Sequence, residues 1–116
     1  MLRYTRLFTD EEGEARFDDV EVPLHPEDPP PDVLSLSDPI PATAVLFGRA
    51  PAGGSHPTQP ESRRQLMICL SGSGEITASG ETRVFRPGDV LLVEDVDGAG
   101  HSSSTSEGFT VTAVVL

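Results

Sequence analysis

Leu70–Asp95 reads LSGSGEITASGETRVFRPGDVLLVED, in which three short strand-like runs, EITAS, ETRVF and DVLLVED, are parted by glycine turns. Glycine tolerates the positive φ that tight turns demand, and each run is too short for an ordinary helix. Just upstream, RRQLMICLSG alternates as a strand, with Leu66, Ile68 and Leu70 on one face and Gln65, Met67 and Cys69 on the other. Further out, TAVLFGRA (43–50) and FTVTAVVL (109–116) are strands. PAGGSHPTQPES (51–62) and VDGAGHSSSTSEG (96–108) read as loops, rich in glycine, proline and serine.

The amino-terminal segments LRYTRLFT and ARFDDVEVPL form a hairpin or a pair of edge strands around Gly13. The period slips at Asp18-Asp19, which predicts an irregularity there. Between them and the later strands, residues 23–60 hold ten of the eleven prolines, so the first part of this segment is neither helix nor central strand. Leu34, Leu36 and Ile40 recur between the prolines, which favours an extended arm laid over the domain above a disordered linker.

About eight short strands, no helical apolar stripe and no βαβ crossover predict an all-β sandwich or barrel with Greek-key or jelly-roll wiring. The 116 residues make one domain, with a core at about 43–116 and the hairpin and arm at 1–42. Nineteen acidic residues against eight basic ones, all arginine, give a formal charge of -11. That balance excludes tight binding to a phosphate backbone, which depends on surplus cations. No apolar run approaches the ~18 residues of a membrane span. The amino terminus lacks the apolar stretch of a secretory signal, and the one cysteine, Cys69, permits no internal disulfide; the expected location is the cytoplasm.

From about Thr43 to Leu116 the chain resembles the small single-domain members of the cupin superfamily. Gly72 closes its strand as the glycine ending the first cupin motif does, RPGDVLLVE with Gly88 and Asp89 resembles the turn opening the second, and His101 follows. The resemblance implies a cupin-like jelly-roll β-barrel. It implies no single reaction, because that fold hosts many.

The family's metal is held by three imidazoles and a carboxylate, and the match to those positions is incomplete. The glutamate position before Gly72 is Gln65, and the paired histidines fall on Thr58, Gln59, Pro60 and Glu61. His56 is displaced by two or three residues, Glu94 stands where the second motif carries proline, and His101 comes late. His56, Glu61, Gln65 and His101 would make an underfilled site, so no tightly held metal or other cofactor is expected.

His101 is the candidate catalytic residue, an acid-base group matched to neutral pH by the ordinary imidazole pKa of about 6.5. Its alternative is an exposed loop histidine. Gln65 can donate and accept toward a ligand, and Arg63, which shares its parity, can grip a carboxylate, as can Arg49. His56, Glu94 and Tyr4 complete the candidate ligand-binding set. Each has a plainer alternative: a surface loop for His56, a solvated face for Glu94, ion pairing for the arginines. His25 reads as solvent-exposed, and Cys69 as a buried small hydrophobe.

The function expected from these residues is small-molecule binding, as a metal-independent isomerase, cyclase or dehydratase acting on a carbonyl-bearing metabolite. A metal-dependent oxygenase or lyase, a non-catalytic binding module and an assembly protein are the alternatives. Exposed strand edges and the resemblance predict a homodimer, with the arm around Leu34 and Leu36 packed on the partner.

Overall fold

The alternation upstream of Gly72 becomes a central strand in the computed structural model, which describes residues 1–116. Ten strands follow in chain order: β1 (Arg3–Thr9), β2 (Ala15–Glu21), β3 (Ala44–Ala50), β4 (Ser55–Gln59), β5 (Gln65–Gly72), β6 (Gly74–Ala78), β7 (Glu81–Phe85), β8 (Val90–Val93), β9 (His101–Ser104) and β10 (Phe109–Val115). They form a six-stranded sheet, β2-β1-β8-β5-β10-β3, and a four-stranded sheet, β4-β9-β6-β7. The chain is all-β, and no helix is long and apolar enough to cross a membrane.

Two segments that read as loops are strands. Residues 55–59 become β4 despite Pro57, because β4 lies at the edge of its sheet, where a missing donor is tolerated. Residues 101–104 become β9, between β4 and β6, because neighbours on both sides satisfy a run of serines that has little strand propensity of its own. The irregularity expected at Asp18-Asp19 is absent, since β1 and β2 pair without a break from Arg3↔Glu21 to Thr9↔Ala15. The register shifts fall instead between His56 and Gln59, and between Thr110 and Val111.

The core joins Leu7, Ala15, Cys69, Ile76, Phe85 and Val111, with Met67 and Phe109 packed against it. Leu7 and Ala15 are fully buried and β1 pairs with β8 in parallel, so the core begins well before residue 43. The two faces of β5 divide as their parity predicts: Gln65 is 8% and Cys69 1% exposed, whereas Leu70 is 52% exposed. Burial raises the Cys69 thiol pKa, with help from the Asp89 carboxylate, which suits its place as a small core side chain.

The arm folds back on itself, where His25 and Leu36 exchange backbone hydrogen bonds of 2.8 and 2.9 Å. Further along, Ser37, Asp38 and Ile40 border a groove shared with Leu2, Leu66 and Val90. Leu34 and Leu36 stay exposed. Strand β3 ends the larger sheet with only β10 bonded to it, and its Phe47 is 80% exposed.

Candidate functional site

Gly100 sets the position of the site. It takes φ +77°, and a Cβ there would lie 2.0 Å from the carbonyl carbon of Gln59. Only glycine lets the start of β9 press this closely on β4, and the contact sets His101 opposite Gln59 and near His56. The His56 and His101 rings stack, with centroids 5.4 Å apart and planes 18° apart.

Both rings border a cavity of about 180 Å³ between the sheets. Its apolar wall comes from Met67, Ile76, Phe85, Leu91, Val93 and Phe109. Its polar side comes from His56, Glu61, Glu75, His101 and Ser103. That volume lies below the roughly 300–1,000 Å³ of pockets for drug-sized ligands, so the cavity suits a small metabolite.

His101 is buried, and its Nδ1–H donates to Asp95 Oδ2 at 2.5 Å. Asp95 is 0% exposed, and its backbone carbonyl accepts from the Glu61 amide at 2.9 Å. A carboxylate on Nδ1 fixes the tautomer and aim of an imidazole, which leaves Nε2 as an acceptor. Nε2 lies 3.7 Å from Glu61 Oε2, beyond hydrogen-bond reach. The other Glu61 oxygen accepts a long bond, 3.4 Å, from Gln65 Nε2.

His56 is held from the other side. In the assigned orientation of the Gln59 amide, Gln59 Nε2 donates to His56 Nε2 at 3.0 Å, so the neutral ring carries its proton on Nδ1. That Nδ1 is buried without a partner, as is Asp95 Oδ1. The cavity therefore borders one imidazole acceptor and one imidazole with an unspent donor.

The structure brings His101, His56 and Glu61 together, with Gln65 one hydrogen bond behind Glu61. The other expected ligand-binding residues lie elsewhere. Arg63 is exposed in the loop before β5, because the chain is irregular there and strand parity does not extend back from Gln65. Arg49 is exposed near the end of β3, beside a surface hollow that also touches Glu107. Tyr4 borders a second cavity of about 190 Å³ with Arg3, Phe17 and Arg83, whose guanidinium is already bonded to Asp19 and Glu81.

Glu94 also lies outside, clamped between Arg6 at 2.6 Å and Arg64. Burial raises its pKa, but the two guanidiniums outweigh burial and hold the carboxyl below its ordinary value of 4.5. A depressed pKa gives stability that is present above the unfolded value and lost as pH falls through the folded one. Glu94→Gln should cost about 1 kcal/mol at pH 7, since the pair is partly exposed. In thermal melts the deficit should shrink below about pH 4.5 and vanish once Glu94 is protonated in both states. A deficit independent of pH would contradict the ion-pair account.

Asp95, which the sequence places with Glu94 at a strand end and favours as a solvated face, is instead buried against His101. Its six-residue spacing from His101 was the available signal, hidden among nineteen acids.

The donor set does not fit the metal centre that the cupin resemblance implies. A metal lies in the plane of each imidazole that binds it, and stacked rings 18° apart have planes that meet far from both nitrogens. Gln65 supplies a neutral amide where a carboxylate would stand, and that amide faces Glu61. No three His, Cys, Asp or Glu side chains converge as a metal-binding group.

No protein-family model and no curated protein matches the chain. Solved structures do match it. A Rhizobium leguminosarum protein of unknown function is 25% identical over 61% of this chain and 66% of its own, with a TM-score of 0.52. A cupin 2 conserved barrel domain protein from Salinispora arenicola is 20% identical over 80% and 73%, TM-score 0.50. A cupin superfamily protein from Desulfitobacterium hafniense is 18% identical over 84% and 98%, TM-score 0.50. The match spans just under two thirds of the Rhizobium protein's length.

Proposed function

Taking the cupin fold of this chain as the premise, we propose that it binds a small carbonyl-bearing metabolite in the His101 cavity and moves a proton on it without a bound metal. Isomerisation, cyclisation and dehydration are the reactions that fit. The observation that carries this reading is the bond from His101 Nδ1 to buried Asp95, beside a cavity with an apolar wall.

In the reaction, His101 Nε2 accepts a proton from the carbon next to the carbonyl. The carbonyl oxygen takes the hydrogen bond that His56 Nδ1 lacks in the free protein, and the developing enolate is stabilised there. For a hydroxyketone, the hydroxyl proton passes to the former carbonyl oxygen and the abstracted proton returns to the former carbonyl carbon, which leaves the carbonyl on the neighbouring carbon and completes an isomerisation. Delivery to a departing hydroxyl completes a dehydration, with water as leaving group. Glu61, 3.7 Å from Nε2, can hold the proton between the two steps.

The test is a screen of small ketones, aldehydes and hydroxyketones in deuterated water, followed by proton NMR of both ligand and imidazoles. The expected result is exchange of the α-hydrogen of a bound compound, with the His101 and His56 signals shifting together. Binding without exchange would leave a ligand-binding module. Ligands that bind without moving either imidazole would remove the cavity from consideration.

We further propose that the chain pairs with a second copy along β3. Its residues, AVLFGRA, include no carboxylate, so the charge of -11 on each copy does not oppose their approach along this strand. About a two-fold axis two such edges meet antiparallel, which is the pairing β3 already makes with β10. Sedimentation should give twice the 12.3 kDa chain mass, and Phe47→Asp should halve it. A wild-type species of 12.3 kDa at micromolar concentration would contradict the pairing.

A further inference from the structure

We infer that the ligand of the His101 cavity carries a primary ammonium group, an inference that rests on the cavity being the ligand site. The groups around it are matched to a cation. Glu61 and Glu75 border the cavity, and Asp95 lies behind His101. Three carboxylates outnumber the two imidazoles, so the site stays formally negative even with both rings protonated.

No guanidinium borders this cavity. Arg6 and Arg64 are spent on Glu94, Arg16 on Asp10, and Arg83 on Asp19 and Glu81. A ligand carboxylate entering here would meet like charge with no counter-ion. The guanidinium grip expected from Arg63 and Arg49 is therefore replaced by its opposite.

The second observation is geometric and independent of charge count. The His101 side chain is 8% exposed, and with Nδ1–H given to Asp95 its Nε2 presents a lone pair. Facing it at 3.7 Å is another acceptor, Glu61 Oε2. Two acceptors at that separation are satisfied by a donor placed between them. An ammonium, with three N–H groups, bonds Glu61 Oε2 with one, reaches the Ser103 hydroxyl or Glu75 with a second, and holds the third at Nε2 until the adjacent C–H takes that place for proton transfer. The apolar wall strengthens these contacts by lowering the local dielectric.

The probes are aminoacetone, 2-butanone and pyruvate, close in size and differing in charge. Affinities are read from titration of the His101 and His56 imidazole signals. Aminoacetone should bind at least about tenfold tighter than 2-butanone, the lower range for hydrogen bonds to charged groups, and pyruvate weakest of the three. Glu61→Gln should bring the first two within about threefold; Glu75→Gln, altered at an exposed rim residue, should narrow the gap in a chain whose fold is untouched.

If 2-butanone moves the imidazole signals and aminoacetone binds no tighter, this inference falls while the proton-transfer reading stands. If pyruvate binds tightest, the charge argument is overturned. If none of the three moves His101, the cavity is not the ligand site and both fall.

Discussion

Gly100→Ala is expected to cost more than about 3 kcal/mol and to dismantle the end of the barrel that carries His101. The added methyl would sit 2.0 Å from the Gln59 carbonyl carbon and 2.2 Å from both the Gln59 oxygen and the Pro60 nitrogen. All three are backbone atoms, so relief requires β4 to part from β9. An alanine would also hold φ near +77°, which L-residues rarely adopt. Gly80→Ala supplies the control. Gly80 has φ +83° but no atom within 4 Å of the added methyl, so only the backbone cost of about 1–2 kcal/mol applies. At roughly 4 °C per kcal/mol for a domain of this size, melting should fall by more than about 12 °C for the first and by about 4–8 °C for the second. Equal losses would mean that β4 and β9 are not in this contact.

The second large effect falls on His101. Once a turned-over compound is found, His101→Ala should lower kcat by roughly 10²–10⁴-fold, the range for a general acid-base group. The same change has a structural consequence. Its loss strands the Asp95 carboxylate, which is 0% exposed and has no other side-chain partner on Oδ2. An unpaired buried acceptor costs about 1–3 kcal/mol, and more when charged. The single variant should therefore be destabilised, and adding Asp95→Ala should recover part of the loss despite removing more contacts. Gln65→Ala should act more weakly on rate, because Gln65 touches Glu61 and not the cavity. A double variant less stable than His101→Ala would contradict the pairing.

Much of the barrel was legible because it rests on local rules. The parity of Gln65, Met67 and Cys69 against Leu66, Ile68 and Leu70 is a property of any strand, and the turn at Gly88-Asp89 is a property of its residues. The loop readings of 51–62 and 96–108 failed for the opposite reason. Proline, glycine and serine argue against strands, but β4 and β9 exist through pairing with each other and with β6, a tertiary effect that outweighs composition. Once β9 is a strand, His101 is buried and not an exposed loop residue.

The site was legible in part. His101 and His56 were identifiable as the few imidazoles near the second and first cupin motifs, and the structure stacks them. Arg63 and Arg49 were not legible as surface residues, because strand parity carries no information beyond the strand's first residue; in a chain of nineteen acids, the guanidiniums of Arg6, Arg16 and Arg83 find carboxylates away from the cavity. Asp95 was obscured by the same abundance. Its role depends on burial, and a carboxylate that is 0% exposed carries no mark in the sequence that sets it apart from its solvated neighbours.

The account rests on Asp95 holding the proton of His101 on Nδ1, so that Nε2 faces the cavity as an acceptor. Nitrogen-15 NMR of the imidazoles reads this directly, without knowledge of the ligand. The account predicts that neutral His101 carries its proton on Nδ1 and that Asp95→Asn shifts the ring toward the Nε2–H tautomer. A wild-type His101 protonated on Nε2, or exchanging freely between tautomers and indifferent to Asp95→Asn, would contradict it.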